Sequence, residues 1–219
     1  MICVVTDRHR LASGPDAADR LVDLVEAAAR AGVDVIQVRE RDLEARPLTA
    51  LVKRCVDAVR GTATKVIVND RADVALAAGA HGVHLRADSF AADGARTLLG
   101  ANALIGVSVH SADDAAAACR IAGIDYLILG TLNATASKDS SRRLTSLDEL
   151  SAACRLSPVP VLAIGGMTLE TARAAADAGA AGVAAIGLFV PPPGHALEQH
   201  LQSVVSDLQR TFDTCRAVP

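Results

Sequence analysis

The stretch Pro158-Val-Pro-Val-Leu-Ala-Ile-Gly-Gly-Met-Thr168 decides the fold. Its β-branched apolar run reads as a buried strand, Gly165 and Gly166 end it, and a helix follows at once over Leu169–Ala178. Adjacent glycines let backbone N–H groups approach an anion closely, and a helix N-terminus adds a favourable dipole. Gly182-Val-Ala-Ala-Ile-Gly187 repeats the plan. Two consecutive strand ends of this kind, late in an α/β chain, are how a (β/α)8 barrel builds a phosphate site. Two ordinary tight turns would share the pattern, so the choice rests on what surrounds them.

Outward from this point, apolar runs alternate with alanine-rich helical stretches from end to end. Strands are expected over Ile2–Thr6, Val33–Val38, Lys65–Asn69, Gly82–Leu85, Leu104–Ser108, Tyr126–Leu129, Val159–Ile164 and Gly182–Ile186. Helices are expected between and after them, among them Ala17–Ala31, Leu48–Arg60, Ala112–Ala122, Leu169–Ala178 and Leu197–Asp213. Ser146 with Glu149 has the spacing of a capping box, and Ser111 precedes the acidic Asp113 and Asp114. Repeated β–α units with near-continuous apolar strands point to an α/β fold, a single-domain (β/α)8 TIM barrel over residues 1–219. A doubly wound open sheet would instead carry its glycine-rich phosphate turn after the first strand, where Thr6-Asp7-Arg8-His9 stands. The long polar loop, residues 130–145, would lie over the catalytic face as a lid.

A net charge of −3 and a pI near 6.0 offer no general affinity for nucleic acid or for an anionic membrane. No apolar run approaches the ~20 residues needed to span a bilayer. The first residues, Met1-Ile-Cys-Val-Val-Thr6, read as a strand and carry neither the basic leader nor the cleavage site of a signal peptide. Cys3, Cys55, Cys119, Cys154 and Cys215 show no paired spacing, as expected of reduced, buried thiols in a cytoplasmic protein. With aromatics at 2%, the core has to be built from Val, Ile, Leu and Ala, and base stacking on exposed rings is excluded.

In a barrel the chemistry comes from the C-terminal strand ends and the loops that follow. The second strand ends in Gln37-Val-Arg-Glu-Arg41, and alternation puts Gln37, Arg39 and Arg41 on one side. Facing inward they make a cationic wall for a phosphate or diphosphate; facing outward they make a solvated turn. Asn69-Asp70-Arg71 at the third strand end either supplies a metal carboxylate or caps the next helix. His84 lies within the fourth strand and reads as a hydrogen-bonded barrel histidine. Ser108 and His110, in Gly106-Val-Ser-Val-His110, share a parity that would face them into one pocket, where a histidine can exchange protons near neutral pH. No Ser-His-Asp arrangement with an elbow glycine is present, which argues against covalent acyl chemistry. Lys138, in Thr135-Ala-Ser-Lys138, suits a phosphate partner. Together these residues describe one pocket for a phosphorylated small substrate with a second anionic group.

The ordered set Val5-Thr-Asp-Arg8, Gln37-Val-Arg-Glu-Arg41, Val68-Asn-Asp-Arg71, Gly82-Val-His-Leu85, Gly106-Val-Ser-Val-His110, Thr135-Ala-Ser-Lys138 and Ala163-Ile-Gly-Gly-Met167 resembles the thiamin-phosphate synthase family and its relatives, the thiazole tautomerases. The resemblance implies thiamin biosynthesis: a transferase that joins hydroxymethylpyrimidine diphosphate to thiazole phosphate, with Mg²⁺ and loss of pyrophosphate. It implies that Gln37, Arg39, Arg41, Asn69 and Lys138 hold the diphosphate and that Asp70 binds Mg²⁺. Ser108 would line the reacting centre, while Thr135, Ser137, Gly165, Gly166, Ile186 and Gly187 would hold the thiazole phosphate. Ser108, His110 and Lys138 are the candidate catalytic residues.

The chain departs from the family pattern at several of these places. Ser89 stands where the second metal aspartate is expected, with Asp88 one residue early as its candidate substitute. Asn133-Ala134 replaces the usual Phe-Pro, Arg41 a lysine, and Gly187 a serine. The tautomerase branch needs neither diphosphate nor metal and would use His110 as its acid–base residue. A non-catalytic thiazole- or thiamin-phosphate-binding protein is a third reading. Gln37, Arg39, Asp70 and Lys138 favour the synthase, with phosphorylated small molecules as partners and assembly into a homo-oligomer left open.

Overall fold

The computed structural model describes residues 1–86, 89–133 and 144–216, with side chains up to Asp213. Strands that are apolar on both faces need cover on both, and closure of the sheet provides one of the two covers. The strands are β1 (Ile2–Val5), β2 (Val35–Val38), β3 (Lys65–Asn69), β4 (Gly82–Leu85), β5 (Leu104–Val109), β6 (Tyr126–Gly130), β7 (Val161–Ile164) and β8 (Gly182–Ala185). They pair in parallel in sequence order, and β8 returns to β1, giving the closed (β/α)8 barrel that the sequence predicts.

The outer cover consists of α1 (Ala17–Ala31), α2 (Ala45–Ala58), α3 (Ala72–Ala78), α4 (Ala92–Leu99), α5 (Ala112–Ala118), α6 (Leu147–Leu156), α7 (Leu169–Asp177) and α8 (Leu197–Arg216). α8 packs between α7 and α1 and completes the ring. Among the described residues no helix is long and apolar enough to cross a membrane.

Several boundaries differ from expectation for physical reasons. β7 starts at Val161 rather than Val159, because Pro160 has no N–H to give to the ladder. α2 starts at Ala45 rather than Leu48, since Pro47 costs nothing in a first turn, where its missing donor is not needed. α5 ends at Ala118 rather than Ala122, and the chain then turns through Gly123 at φ 93°. Ser146 caps α6 by accepting from the Glu149 N–H, but the box does not close. The Glu149 carboxylate instead accepts from the Ala112 N–H at 2.6 Å, tying α6 to the start of α5. A closed box occurs at α7, between Thr168 and Thr171.

Period-two alternation sorts the strand residues into two sets. Val4, Ile36, Val38, Val66, Val68, Leu127 and Leu129 point outward and pack against the helices. Cys3, Val5, Val35, Ile67, Tyr126, Ile128, Leu162 and Ala184 point inward and fill the barrel. Cys3 and Cys55 are buried, and burial pushes each thiol up to about 12; Cys119 and Cys154 are half-buried rather than buried. The side chain of Cys215 lies outside the described residues.

Tyr126 is the single tyrosine of the chain and is 1% exposed. A Cβ at residue 106 would come within 2.1 Å of its ring, so Gly106 in the facing strand is the seat of the tyrosine. Gly106→Ala should therefore cost ~1–3 kcal/mol of stability by overpacking. Urea denaturation checks this, and an unchanged midpoint would mean that the ring does not occupy that seat.

Candidate active site

The inward set turns polar at the C-terminal mouth of the barrel. Gln37, 3% exposed, donates from Nε2 to Asn69 Oδ1 at 2.9 Å, linking β2 to β3. On the adjacent strand, in register with Asn69, His84 bridges β4 to β5 and β6, with Nε2 2.8 Å from Ser108 Oγ and Nδ1 3.1 Å from the Tyr126 hydroxyl. Burial lowers the His84 imidazole from 6.5 to about 3 and raises the Tyr126 phenol well above 10.0, so both are neutral. His84 is thus the hydrogen-bonded barrel histidine that its position predicts, and it holds the Ser108 hydroxyl at the mouth.

The rim at β1 and β2 is charged. Glu40 is buried; its carboxylate accepts from Thr6 Oγ1 at 2.6 Å and from the Arg8 guanidinium at 2.9 Å. Thr6 Oγ1 in turn accepts from the Arg39 N–H at 3.0 Å, which fixes the backbone that carries Arg39 and Arg41. Arg39 is half-buried and Arg41 is exposed. Among the described residues neither takes part in an ion pair. Burial, and then the charge of Arg41, lower the Arg39 guanidinium from its ordinary value. Two neighbouring cations that form no ion pair among the described residues suit a multiply charged anion.

At the end of β3 the backbone of Asp70 is left-handed, with φ 62°, and its N–H donates to the His84 carbonyl at 2.9 Å. Neither Asn69 nor Asp70 caps α3, so the capping alternative falls away. The Asp70 carboxylate accepts from the Ser89 hydroxyl and lies 3.6 Å from the Arg86 guanidinium. Ser89 Oγ also accepts from the Arg86 N–H at 2.9 Å. Carboxylate and hydroxyl oxygens are hard donors of the kind Mg²⁺ prefers. Among the described residues no group of three or more His, Cys, Asp or Glu could hold a metal. The described residues here thus offer one carboxylate and one hydroxyl of that kind, Asp70 and Ser89.

The two glycine turns lie at the other side of the mouth. Gly165 and Gly166 have φ 114° and 55°, a conformation that side chains resist. A Cβ on Gly165 would also stand 2.4 Å from Thr131 Cγ2. Ile186 and Gly187 follow β8 and lead into the single helical turn Gly187–Phe189.

The shared parity of Ser108 and His110 does not bring them together. β5 ends at Val109, so alternation stops before His110. Ser108 faces His84 in the barrel, whereas His110 is exposed and its Nδ1 lies 2.8 Å from the Gly130 carbonyl. That carbonyl can only accept, so Nδ1 carries the proton. His110 lines a cavity of about 410 Å³ with Gly130, Thr131, Leu144 and Glu149. Asp88, Thr135, Ser137 and Lys138 lie outside the described residues. Tyr126, Arg86 and the Thr6–Glu40–Arg8 group were not expected at the site; for the first, the available signal was a lone tyrosine in one strand and a glycine, Gly106, inside the strand before it.

A closed (β/α)8 barrel whose mouth gathers cations, a carboxylate and two glycine turns is an enzyme of the phosphate-handling barrel class. The sequence profile of the thiamine monophosphate synthase family matches residues 2–189. The chain belongs to that family. A thiamine-phosphate synthase of Roseiflexus castenholzii is 38% identical over 193 residues, covering 88% of this chain and 82% of that one. One from Azorhizobium caulinodans is 33% identical over 190 residues and covers 87% of each chain. The structure of a thiamine phosphate pyrophosphorylase from Pyrococcus furiosus superposes with a TM-score of 0.78 at 27% identity, over 98% of this chain and 96% of that one.

The His84 shift also makes a stability prediction. Its folded value lies below its ordinary one, so its contribution is complete above about pH 6.5 and is lost as pH falls toward 3. In that window the wild type should lose up to ~1.4 kcal/mol per pH unit more than His84→Gln. Denaturation midpoints at stepped pH check this, and parallel slopes in the two proteins would sink it.

Proposed function

We propose that the chain joins hydroxymethylpyrimidine diphosphate to thiazole phosphate with release of pyrophosphate. The observation that carries this reading is the pair Arg39 and Arg41, which among the described residues have no ion-pair partner, placed on the same barrel mouth as the Gly165–Gly166 turn. Two anion seats on one mouth suit two phosphorylated substrates, and the relatives named as thiamine-phosphate synthases support transfer over tautomerisation.

In this reading the C–O bond between the pyrimidine methylene and the diphosphate breaks, and the electron pair leaves with pyrophosphate. The thiazole nitrogen then donates its lone pair to the methylene carbon, and a C–N bond forms. No proton needs to be abstracted, which agrees with a mouth whose buried imidazole, His84, is neutral and already hydrogen-bonded. Arg39 and Arg41 face the charge that grows on the leaving group, where fixed cations stabilise the transition state most. Gln37 and Asn69, each locking the other at 2.9 Å, orient the diphosphate end. Ser108, held by His84, lines the reacting centre. Gly165, Gly166, Ile186 and Gly187 present backbone to the thiazole phosphate, joined in this reading by Thr135 and Ser137, while Lys138 joins the diphosphate side.

Asp70 would hold Mg²⁺ together with diphosphate oxygens. When bound, the ion adds positive charge at the leaving group. With the Ser89 hydroxyl beside Asp70, the described residues supply one carboxylate to that shell.

The assay supplies both substrates with Mg²⁺ and measures thiamin phosphate. Product is expected, and its absence at high enzyme concentration would overturn the reading. Arg39→Ala should lower kcat/KM by about a hundredfold or more, without altering binding of the thiazole phosphate. Ser89→Asp should lower the Mg²⁺ concentration that gives half-maximal rate, by restoring a second carboxylate; an unchanged Mg²⁺ requirement would count against Asp70 as a ligand.

A further inference from the structure

Two arginines of the turn after β1 face opposite ways. Arg8 turns toward β2, onto Glu40 and Asp42. Arg10 turns toward β8: its Nη1 lies 3.3 Å from the point where a Cβ on Gly187 would stand. Its Nε donates to Asp7 Oδ2 at 3.3 Å, and among the described residues Asp7 is its charged partner. That bond uses one of the five guanidinium donors and orients the rest of the fork. The arginine is 34% exposed, so the fork is accessible at the mouth.

The glycine at 187 is informative because its backbone does not need one. Gly165 and Gly166 have positive φ, whereas Gly187 does not. What residue 187 gives up is space, and the group that stands against that space is the Arg10 guanidinium. A methyl there would stand tighter against Nη1 than most contacts, so the guanidinium would have to give by a few tenths of an ångström.

We infer that Arg10 is a cationic ligand for the phosphate monoester at the β7 and β8 turns, admitted there by Gly187. This rests on the function proposed above, in which those turns hold the thiazole phosphate. Backbone N–H groups offer hydrogen bonds but no net charge. A guanidinium adds both, in a planar fork matched to two phosphate oxygens. Arg39 and Arg41 lie on the β2 side of the rim, so the two substrates draw on separate cations of one mouth.

Calorimetric titration of wild type, Arg10→Ala, Arg10→Lys, Gly187→Ala and the double variant Arg10→Ala/Gly187→Ala tests this. The probes are the thiazole phosphate and the same thiazole alcohol without its phosphate. Arg10→Ala should weaken the ester by about tenfold or more and leave the alcohol unchanged. Arg10→Lys should recover part of the loss, since it keeps the charge but not the fork. Gly187→Ala should weaken the ester in the wild type and much less once Arg10 is gone, because the displaced cation is then absent. The inference is overturned if Arg10→Ala keeps the full preference for the ester, or if Gly187→Ala acts equally in both backgrounds. A wild type with no preference for the ester would instead overturn the proposed function, and this inference with it.

Discussion

A ring of eight parallel strands has an inside that must be filled without aromatic bulk, since this chain has almost none. The exception is Tyr126, laid against Gly106 across the β5–β6 pair. Its ring fills the barrel beneath the mouth, and its hydroxyl starts the chain of hydrogen bonds through His84 to Ser108. Packing and site geometry therefore share one side chain. Apolar filler in its place would leave His84 with an unmet ring nitrogen in a dry interior, which is costly. The same dryness keeps the imidazole neutral, so the polar layer above the core is built from dipoles rather than charges.

Charge is confined to the rim, and there it is sorted. The turn after β1 neutralises Glu40 and Asp42 through Arg8, and the Thr6 hydroxyl passes that order to the Arg39 backbone. A buried carboxylate such as Glu40 is tolerable only with partners of this kind. The satisfied group thus holds still the strand end whose own arginines form no ion pair among the described residues. On the next strand end the carboxylate of Asp70 is shared between a hydroxyl and a guanidinium. Cations and acceptors lie side by side around the mouth without cancelling at every position, which lets a polyanionic substrate find charge there.

Much of this was legible in the sequence because it follows from alternation. Once the strands are placed, alternation puts Gln37, Asn69, His84 and Ser108 each on the barrel-filling face of its strand, and glycine turns follow β7 and β8. What alternation does not control was not legible. His110 lies one residue past the end of β5, and its side chain leaves the barrel for the Gly130 carbonyl. Glu149 has the spacing of a local cap yet reaches Ala112, 37 residues away, because α5 and α6 are neighbours only in space. The links from His84 to Ser108 and Tyr126 span 24 and 42 residues, and nothing local announces them. A lone tyrosine near an in-strand glycine hints at a close contact but does not name the partners. Arg86 sits where a loop residue would be expected to be solvated, and its place beside Asp70 is a contact between the ends of β3 and β4.

The pairing of β1 with β8 bears on how the protein is made. The amino group of Met1 donates to the Ala181 carbonyl, 180 residues along the chain. During synthesis β1 precedes its neighbour β2, and its second partner, β8, follows all the other strands of the ring. A strand with one unpaired edge is a template for unwanted pairing, and non-local closure of this kind is slow. The growing chain must shelter that edge until β8 has cleared the ribosome, and closure of the ring can begin only then.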